Sequence, residues 1–430
     1  MTYFQTLKPA QGLNYLFLDL NSYFASVEQQ ETPHLRGKPV AVVPMDTDST
    51  CAIAVSYEAK AYGVKTGTKI YHAKRLCPGL KCIPARHHIY VDYHNKIMAE
   101  VERHQPIDNV HSIDEVSCRL TGPERIMGGA ISLAKSIKKG IADNKQIGPY
   151  IKCSIGLAPN CYLAKLATDL QKPDGLVVLR LEDLPERIAH LSLTDLPGIN
   201  TRLEARLLRC GVRTVLDLWN LEPWHARKIW GGVQGERFWY RLRGYDIPKT
   251  ATQKRTIGHS RILAPEIRSP QQSRLVARAL LIKATKRLRR HQLAATTLSF
   301  SACPIERPRF ETTCTFPATQ DSFVFLDAFE TLWQNMLQTC GAHIRLKKVS
   351  VNLFDLVNAH TNQLSLFEHL SPHEHLHQQK QQKLWNAIDK LNNRFGVNTI
   401  SLASQSSVSA QYLGTKIAFT RIPDAQEFVE

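Results

Sequence analysis

The run Tyr15-Leu16-Phe17-Leu18-Asp19-Leu20, continued by Asn21-Ser22 and then by Tyr23-Phe24-Ala25-Ser26-Val27-Glu28, decides the reading of this chain. The first six residues form a short β-prone run. Asn21-Ser22 is a polar break in which either side chain can cap the helix expected over 23–30. Asp19 is thereby placed near the end of a strand, just before a helix N-terminus.

Outward from there, 38–44 and 51–56 predict two more strands, joined by the turn-like Met45-Asp46-Thr47-Asp48. A helix starts at Tyr57 and stops at Gly63. A long helix follows over about 87–104, and 110–120 predicts a hairpin with Asp114-Glu115 at or near its turn. Helix 130–144, strand 152–157 and helix 161–170 complete an alternation of strands and helices, which predicts an α/β or α+β domain.

From about 181 the chain changes to short helices, with a helix, a Gly-containing hairpin and a helix around Leu196-Pro197-Gly198-Ile199-Asn200. A linker over 248–253 leads to a second strand/helix domain, 255–356, with a basic helix at 271–290 and strands at 293–301 and 349–356. The stretch 360–382 is polar and rich in Gln and His, and predicts a tether. Trp385, Ile388, Leu391 and Phe395 share one face of a last helix that Gly396 ends. No internal repeat appears.

Composition bounds the function. The 430 residues allow two to four domains. With 43% hydrophobic and 22% charged residues the chain is an ordinary globular one, which excludes collagenous, wholly disordered and multi-span membrane classes. The net charge of +17 favours a polyanionic partner. No run of about 18 apolar residues predicts a membrane span. The first eleven residues carry no secretion signal, so a cytoplasmic location is expected. Ten cysteines without a CxxC pair argue against a zinc ribbon and read mostly as buried thiols in a reducing compartment.

Asp114-Glu115, with Asp19 upstream, is the first candidate for chemistry. Carboxylates at strand ends can hold hard cations such as Mg²⁺ together with substrate phosphates. The same pair also suits an exposed hairpin turn, and the residues alone leave both readings open.

The segment 19–28 resembles the opening motif of the Y-family translesion DNA polymerases, in particular the bacterial DNA polymerase IV and DNA polymerase V branch. Ser112-Ile113-Asp114-Glu115-Val116 resembles their second catalytic motif, and Tyr57 to Lys65 their fingers motif. Ser154-Ile155-Gly156, Leu163-Ala164-Lys165-Leu166-Ala167 and Gln171-Lys172-Pro173-Asp174-Gly175 resemble the end of their palm, and Leu196-Pro197-Gly198-Ile199 their thumb hairpin. The five motifs stand in family order over residues 13–250.

The resemblance implies an α+β multidomain right-hand polymerase. Its parts would be a palm (1–30 and 91–180), fingers (31–90), a helix-hairpin-helix thumb (181–247), a little finger (248–358), a tether (359–382) and a C-terminal extension (383–430). It implies translesion synthesis by nucleotidyl transfer from dNTP to a primer 3′-hydroxyl, with low fidelity and no proofreading. Asp19, Asp114 and Glu115, with the Leu20 carbonyl, match the binding set for two Mg²⁺ ions. Phe24 matches the aromatic gate against a ribose 2′-OH. Tyr57, Lys60 and Lys172 match the residues that meet the triphosphate.

Three departures stand out. Asn21 replaces the Asp usual in DNA polymerase IV members. Lys60 replaces an Arg, which loses a bidentate fork. Asn200 replaces a second Gly in the thumb hairpin, where Asn is expected to tolerate a positive φ. The competing reading is a catalytically silent family member that serves as a DNA- and clamp-binding adaptor, against which all three carboxylates are retained.

Primer–template DNA is the implied partner. Gly198 and its following amides suit a phosphate. Residues 254–348 hold 16 basic and 6 acidic side chains, with Lys283, Lys286, Arg287, Arg289 and Arg290 crowded on one helix, which favours contacts to the phosphate backbone without base readout. Gln363-Leu364-Ser365-Leu366-Phe367 resembles the pentapeptide that binds the bacterial sliding clamp. The histidines at 369, 373, 375 and 377 are read as part of the polar tract, not as a metal site. The expected assembly is a monomer, with accessory damage-response proteins as further partners and no membrane contact.

Overall fold

The computed structural model describes residues 8–248, 254–359, 372–396 and 399–402, with positions 417, 422 and 423. The chain divides into two compact units, the first essentially residues 1–249 and the second residues 250–415.

In the first unit, β1 (Tyr15–Leu20) leads into α1 (Tyr23–Glu31), then β2 (Val40–Val43), β3 (Ala54–Val55), α2 (Tyr57–Lys60), α3 (Ile70–Leu76) and β4 (Lys81–Pro84). There follow α4 (His87–Glu102), β5 (Ile107–Val110), β6 (Glu115–Arg119), α5 (Met127–Asp143), β7 (Cys153–Ala158), α6 (Cys161–Leu170) and β8 (Leu176–Val178). Four short helices close the unit: α7 (Thr201–Arg209), α8 (Val215–Trp219), α9 (Pro223–Trp230) and α10 (Val233–Leu242).

A five-stranded sheet has the order β5-β6-β1-β7-β8, so the opening strand lies at its centre, buried along its whole length. Central strands are protected on both edges, which explains why the run over 15–20 lacks a polar alternation. A separate three-stranded sheet, β3-β2-β4, packs its Val and Ala side chains on Ala59, Ile70 and Ala73 of α2 and α3. The α7–α10 helices share one apolar cluster with β1, β7 and α6, through Leu203, Leu207, Phe238 and Leu242.

The second unit runs β9 (Thr256–Ile262), α11 (Pro270–Arg290), β10 (Leu293–Pro304), β11 (Phe310–Thr319), α12 (Ser322–Cys340), β12 (Leu346–Asn358) and α13 (Pro372–Phe395). Its antiparallel sheet has the order β11-β10-β12-β9, with α11 and α12 packed on it around Phe300, Phe329 and Trp333. The Thr285 and Ser322 hydroxyls meet at 2.7 Å between the two helices, and Glu330 accepts from both Arg274 and Arg278.

Several expectations are corrected. Ser22 takes the N-cap position of α1 with φ 49° and makes no cap bond, and Asn21 is drawn elsewhere. Asn200 does not use a positive φ; it is extended, and its side chain accepts the Leu203 N–H at 2.9 Å as the N-cap of α7. The element ahead of the 196–200 hairpin is a single 3₁₀ turn, Leu193–Asp195. Four of the ten cysteines are buried and Cys210 is exposed.

The tether expected over 359–382 gives way to α13 from Pro372, and the apolar face expected for 385–395 does not bury as one. Trp385 is 3% exposed, whereas Phe395 is 62% exposed. Trp385 docks alone because it finds specific partners. Its Nε1 donates to Asp321 Oδ1 at 2.9 Å, its ring meets Phe323 at 4.9 Å, and the Arg289 guanidinium lies 5.0 Å above it. Arg289 also pairs with Asp389 at 2.6 Å. Trp385→Ala removes this anchor at a cost of about 3 kcal/mol. We expect α13 to lose hydrogen-exchange protection while the four-stranded sheet keeps its own; unchanged protection in α13 contradicts the docking.

Candidate active site

β1, β6 and β7 build the site. Asp19 pairs in register with Glu115 on one side and with Ser154 on the other. Side chains directly opposite on antiparallel strands share a face, so Asp19 and Glu115 stand side by side. Asp114 precedes β6, and its carbonyl accepts the Leu20 N–H at 2.8 Å, which brings the Leu20 backbone against it. The hairpin expected around Asp114-Glu115 is formed by β5 and β6.

Two lysines enter this acidic group. Lys165, on the second turn of α6, bonds Asp19 Oδ2 and reaches Glu115 Oε1 at 2.9 Å. Lys172 lies 2.9 Å from Asp19 Oδ1 and 2.8 Å from Asp169 Oδ1. Sequence reasoning misses Lys165 and Asp169, although their i,i+4 spacing is the signal for a pair on one helix face.

Burial raises the Asp114 carboxyl above the ordinary range; a hydrogen bond from Ser112 opposes this, and the Asp19 charge adds to it. Burial also raises Glu115, with Lys165 opposing. Burial works to lower the Lys165 ammonium, but Asp19, Asp169 and Glu115 outweigh it and raise it.

Among the described residues, no group of three His, Cys, Asp or Glu side chains is gathered closely enough to hold a metal ion, and the ammonium groups bridge the carboxylates instead. The donor chemistry still suits a hard cation, because it consists of carboxylate oxygens. Burial makes the charged forms of Asp114 and Glu115 costly, and a bound cation would relieve that cost.

Beside this group, the Lys60 ammonium sits 4.2 Å over the Tyr57 ring. Burial raises the Tyr57 phenol, with Lys172 opposing, and burial with the like charge of Lys172 lowers the Lys60 ammonium. Tyr57, Lys60, Lys172 and Asp19 thus share one electrostatic environment.

Phe24 is half-buried and stacks on Tyr90 at 4.3 Å and 12° between planes. Tyr90 in turn donates to the buried Glu28, which Arg86 also grips, while Tyr23 donates to the Tyr90 carbonyl at 2.7 Å. Tyr23 is therefore the core aromatic of the pair, and Phe24 stays half-buried.

Gly198 has φ 94° with open space around a Cβ position, so the conformation and not crowding requires glycine there. On α11, Lys283, Lys286 and Arg287 are half-buried and Arg290 is exposed; Arg287 Nη1 lies 3.4 Å from His259 Nε2. Arg289 stands on the same helix, but its side chain is enclosed by Asp389, Trp385, the Gln320 carbonyl and the Ser322 hydroxyl. Gln363, Leu364, Leu366 and Phe367 lie outside the described residues.

Residues 18–169 match the impB/mucB/samB family and residues 254–366 its C-terminal domain. The chain is 31% identical to the DNA polymerase IV of Moorella thermoacetica over 90% of its own length and 95% of that protein. It is 31% identical to the DNA polymerase IV of Pelotomaculum thermopropionicum over 90% of this chain and 93% of the relative. Among solved structures it resembles a Y-family DNA polymerase chimera of Dbh and Dpo4, with TM-score 0.67 and 24% identity over 80% of this chain and 99% of that one. An insertion ternary complex of Dbh DNA polymerase gives TM-score 0.52 and 25% identity over 80% and 99%. No helix among the described residues is long and apolar enough to cross a membrane. With the mixed helix-and-sheet, multidomain architecture already described, these likenesses establish that the chain belongs to the Y-family of translesion DNA polymerases.

Proposed function

We propose that the chain extends a DNA primer by transferring a nucleotidyl group from dNTP at the Asp19–Asp114–Glu115 site, without proofreading and with low fidelity. The observation that carries this is the pairing of Asp19 with Glu115 across β1 and β6, with Asp114 against Leu20. Asp19, Asp114, Glu115 and the Leu20 carbonyl would hold two Mg²⁺ ions. When bound, such ions activate the 3′-hydroxyl and stabilise the pyrophosphate leaving group.

The protein's own residues bind and orient. Tyr57, Lys60 and Lys172 converge where a triphosphate meets the acidic group. A phenol and two ammonium groups there supply one neutral donor and two charges to its oxygens. Lys165 keeps the carboxylates neutralised until metal and nucleotide arrive. Phe24 forms a rigid wall against the sugar. In this reading the five-stranded sheet is the palm, the three-stranded sheet the fingers, α7–α10 the thumb and the second unit up to residue 358 the little finger.

Primer–template DNA is held through its phosphates by the amides after Gly198 and by Lys283, Lys286, Arg287 and Arg290 of α11. Arg289, Arg274 and Arg278 are spent on contacts inside the second unit. The test is primer extension with Mg²⁺ and dNTPs on undamaged and lesion-bearing templates. Extension on the first and insertion opposite the lesion support the reading, and intact DNA binding without extension overturns it.

The segment 363–367 tethers the enzyme to a bacterial sliding clamp, which raises its effective concentration at DNA. Leu366→Ala/Phe367→Ala is expected to abolish capture by the clamp in a pull-down and to leave distributive extension unchanged. Undiminished capture would falsify the assignment.

A further inference from the structure

Asn21 is 2% exposed and its amide is shared among β1, β7 and the 171–175 loop. Its Oδ1 accepts the Asp174 N–H at 2.7 Å. Its Nδ2 donates to the Ser154 hydroxyl at 3.1 Å and lies 3.4 Å from the Asp19 carbonyl. Ser154 Oγ in turn accepts the Gly175 N–H at 3.3 Å, and its hydrogen has the Gln171 carbonyl and Asn21 Oδ1 each at 3.4 Å. Both ends of the 171–175 loop therefore hang on the Asn21–Ser154 pair, with Lys172 between them.

The loop needs such an anchor. Asp174 has φ 58°, a left-handed conformation that is strained for a non-glycine residue. Lys138 holds the carbonyl side of the same turn, with Nζ 2.8 Å from the Asp174 carbonyl and 3.2 Å from that of Gly175. Asn21 holds the N–H side. From this loop the Lys172 ammonium reaches Asp19 Oδ1 at 2.9 Å, two residues from Asn21 itself. One buried amide thus ties the backbone of the metal-binding strand to the backbone of the triphosphate lysine.

We propose that Asn21 is a positioning residue that fixes the Lys172 loop against the end of β1 and thereby sets affinity for the incoming nucleotide. This rests on the reading of Lys172 as a triphosphate ligand. An Asp at this position keeps the acceptor for the Asp174 N–H, whereas an Ala removes it and releases the N–H side of the loop.

The experiment is single-nucleotide insertion by wild type, Lys172→Ala, Asn21→Ala, Asn21→Asp and the double variant Asn21→Ala/Lys172→Ala, with Tm measured on each. Lys172→Ala is expected to raise KM for dNTP about tenfold. Asn21→Ala is expected to raise it three- to tenfold at little cost in kcat, and Asn21→Asp to stay within about twofold of wild type. The double variant is expected to match Lys172→Ala alone, since removing the lysine leaves nothing for Asn21 to position. KM effects that multiply in the double variant, or a fall in Tm with KM unchanged, overturn the proposal. A normal KM in Lys172→Ala refutes instead the role of the lysine and takes the proposal with it. If Asn21→Ala does not fold, Ser154→Ala removes the second anchor of the same loop and carries the same expectations.

Discussion

Asp114→Ala/Glu115→Ala is expected to reduce primer extension by on the order of 10³-fold or more, while binding of primer–template DNA stays intact or tightens. The size follows from what these carboxylates are proposed to hold. Divalent ions supply several kcal/mol of charge stabilisation to such a transfer, and each 1.36 kcal/mol is a factor of ten in rate. DNA binding survives because its proposed contacts, at Gly198 and on α11, are carried by elements other than β6. It can tighten because two negative charges leave a surface that faces phosphates.

The same variant separates catalysis from folding. Burial raises both carboxyl groups, so in the metal-free protein they oppose folding once ionised. A group whose folded pKa is raised contributes stability below its unfolded value and loses it as pH rises through the folded one. Their replacement removes that opposition together with one of the charges that hold Lys165, so Tm at neutral pH without metal is expected to change little. Extension within tenfold of wild type, measured on gels beside DNA binding by anisotropy, refutes the assignment.

Phe24→Ala is expected to raise ribonucleotide insertion relative to deoxynucleotide insertion by about 10²-fold, the scale on which a packed apolar wall discriminates between substrates that differ by one small group. The wall is firm because of what stands behind it. Phe24 lies on Tyr90 at 4.3 Å, and Tyr90 is fixed by Glu28, itself gripped by Arg86. A ring that cannot retreat leaves no space for an additional oxygen at C2′. The ratio of the two substrates in one preparation corrects for any loss of folded protein. Sugar discrimination equal to wild type removes Phe24 from that role.

The strand ending in Asp19, the hairpin carrying Asp114-Glu115 and the helix over 161–170 were legible because each is a local pattern with its own stops. So was the basic character of α11. Residues whose meaning lies in a distant partner were not legible. Lys165 reads as an ordinary helix lysine until β1 brings Asp19, 146 residues away, into contact. Arg289 reads as one more phosphate-seeking cation until Asp389 and Trp385 enclose it. Trp385, Leu391 and Phe395 share a helical face, yet only the first is buried, because periodicity states which side chains lie together and not whether another element covers them.

The sequence by itself determined the order of elements, the carboxylates at the strand ends, the charge of the second unit and the family. All of these are carried by composition, short-range periodicity and ordered motifs. Only the tertiary structure decided that two lysines neutralise the acidic group, that one basic residue of α11 is spent on α13, and that Asn21 binds Asp174 across 153 residues instead of capping its own helix. The physical reason is that a hydrogen bond or ion pair depends on distance and burial in space. Those are set by how the sheet registers its strands, and no local pattern encodes them.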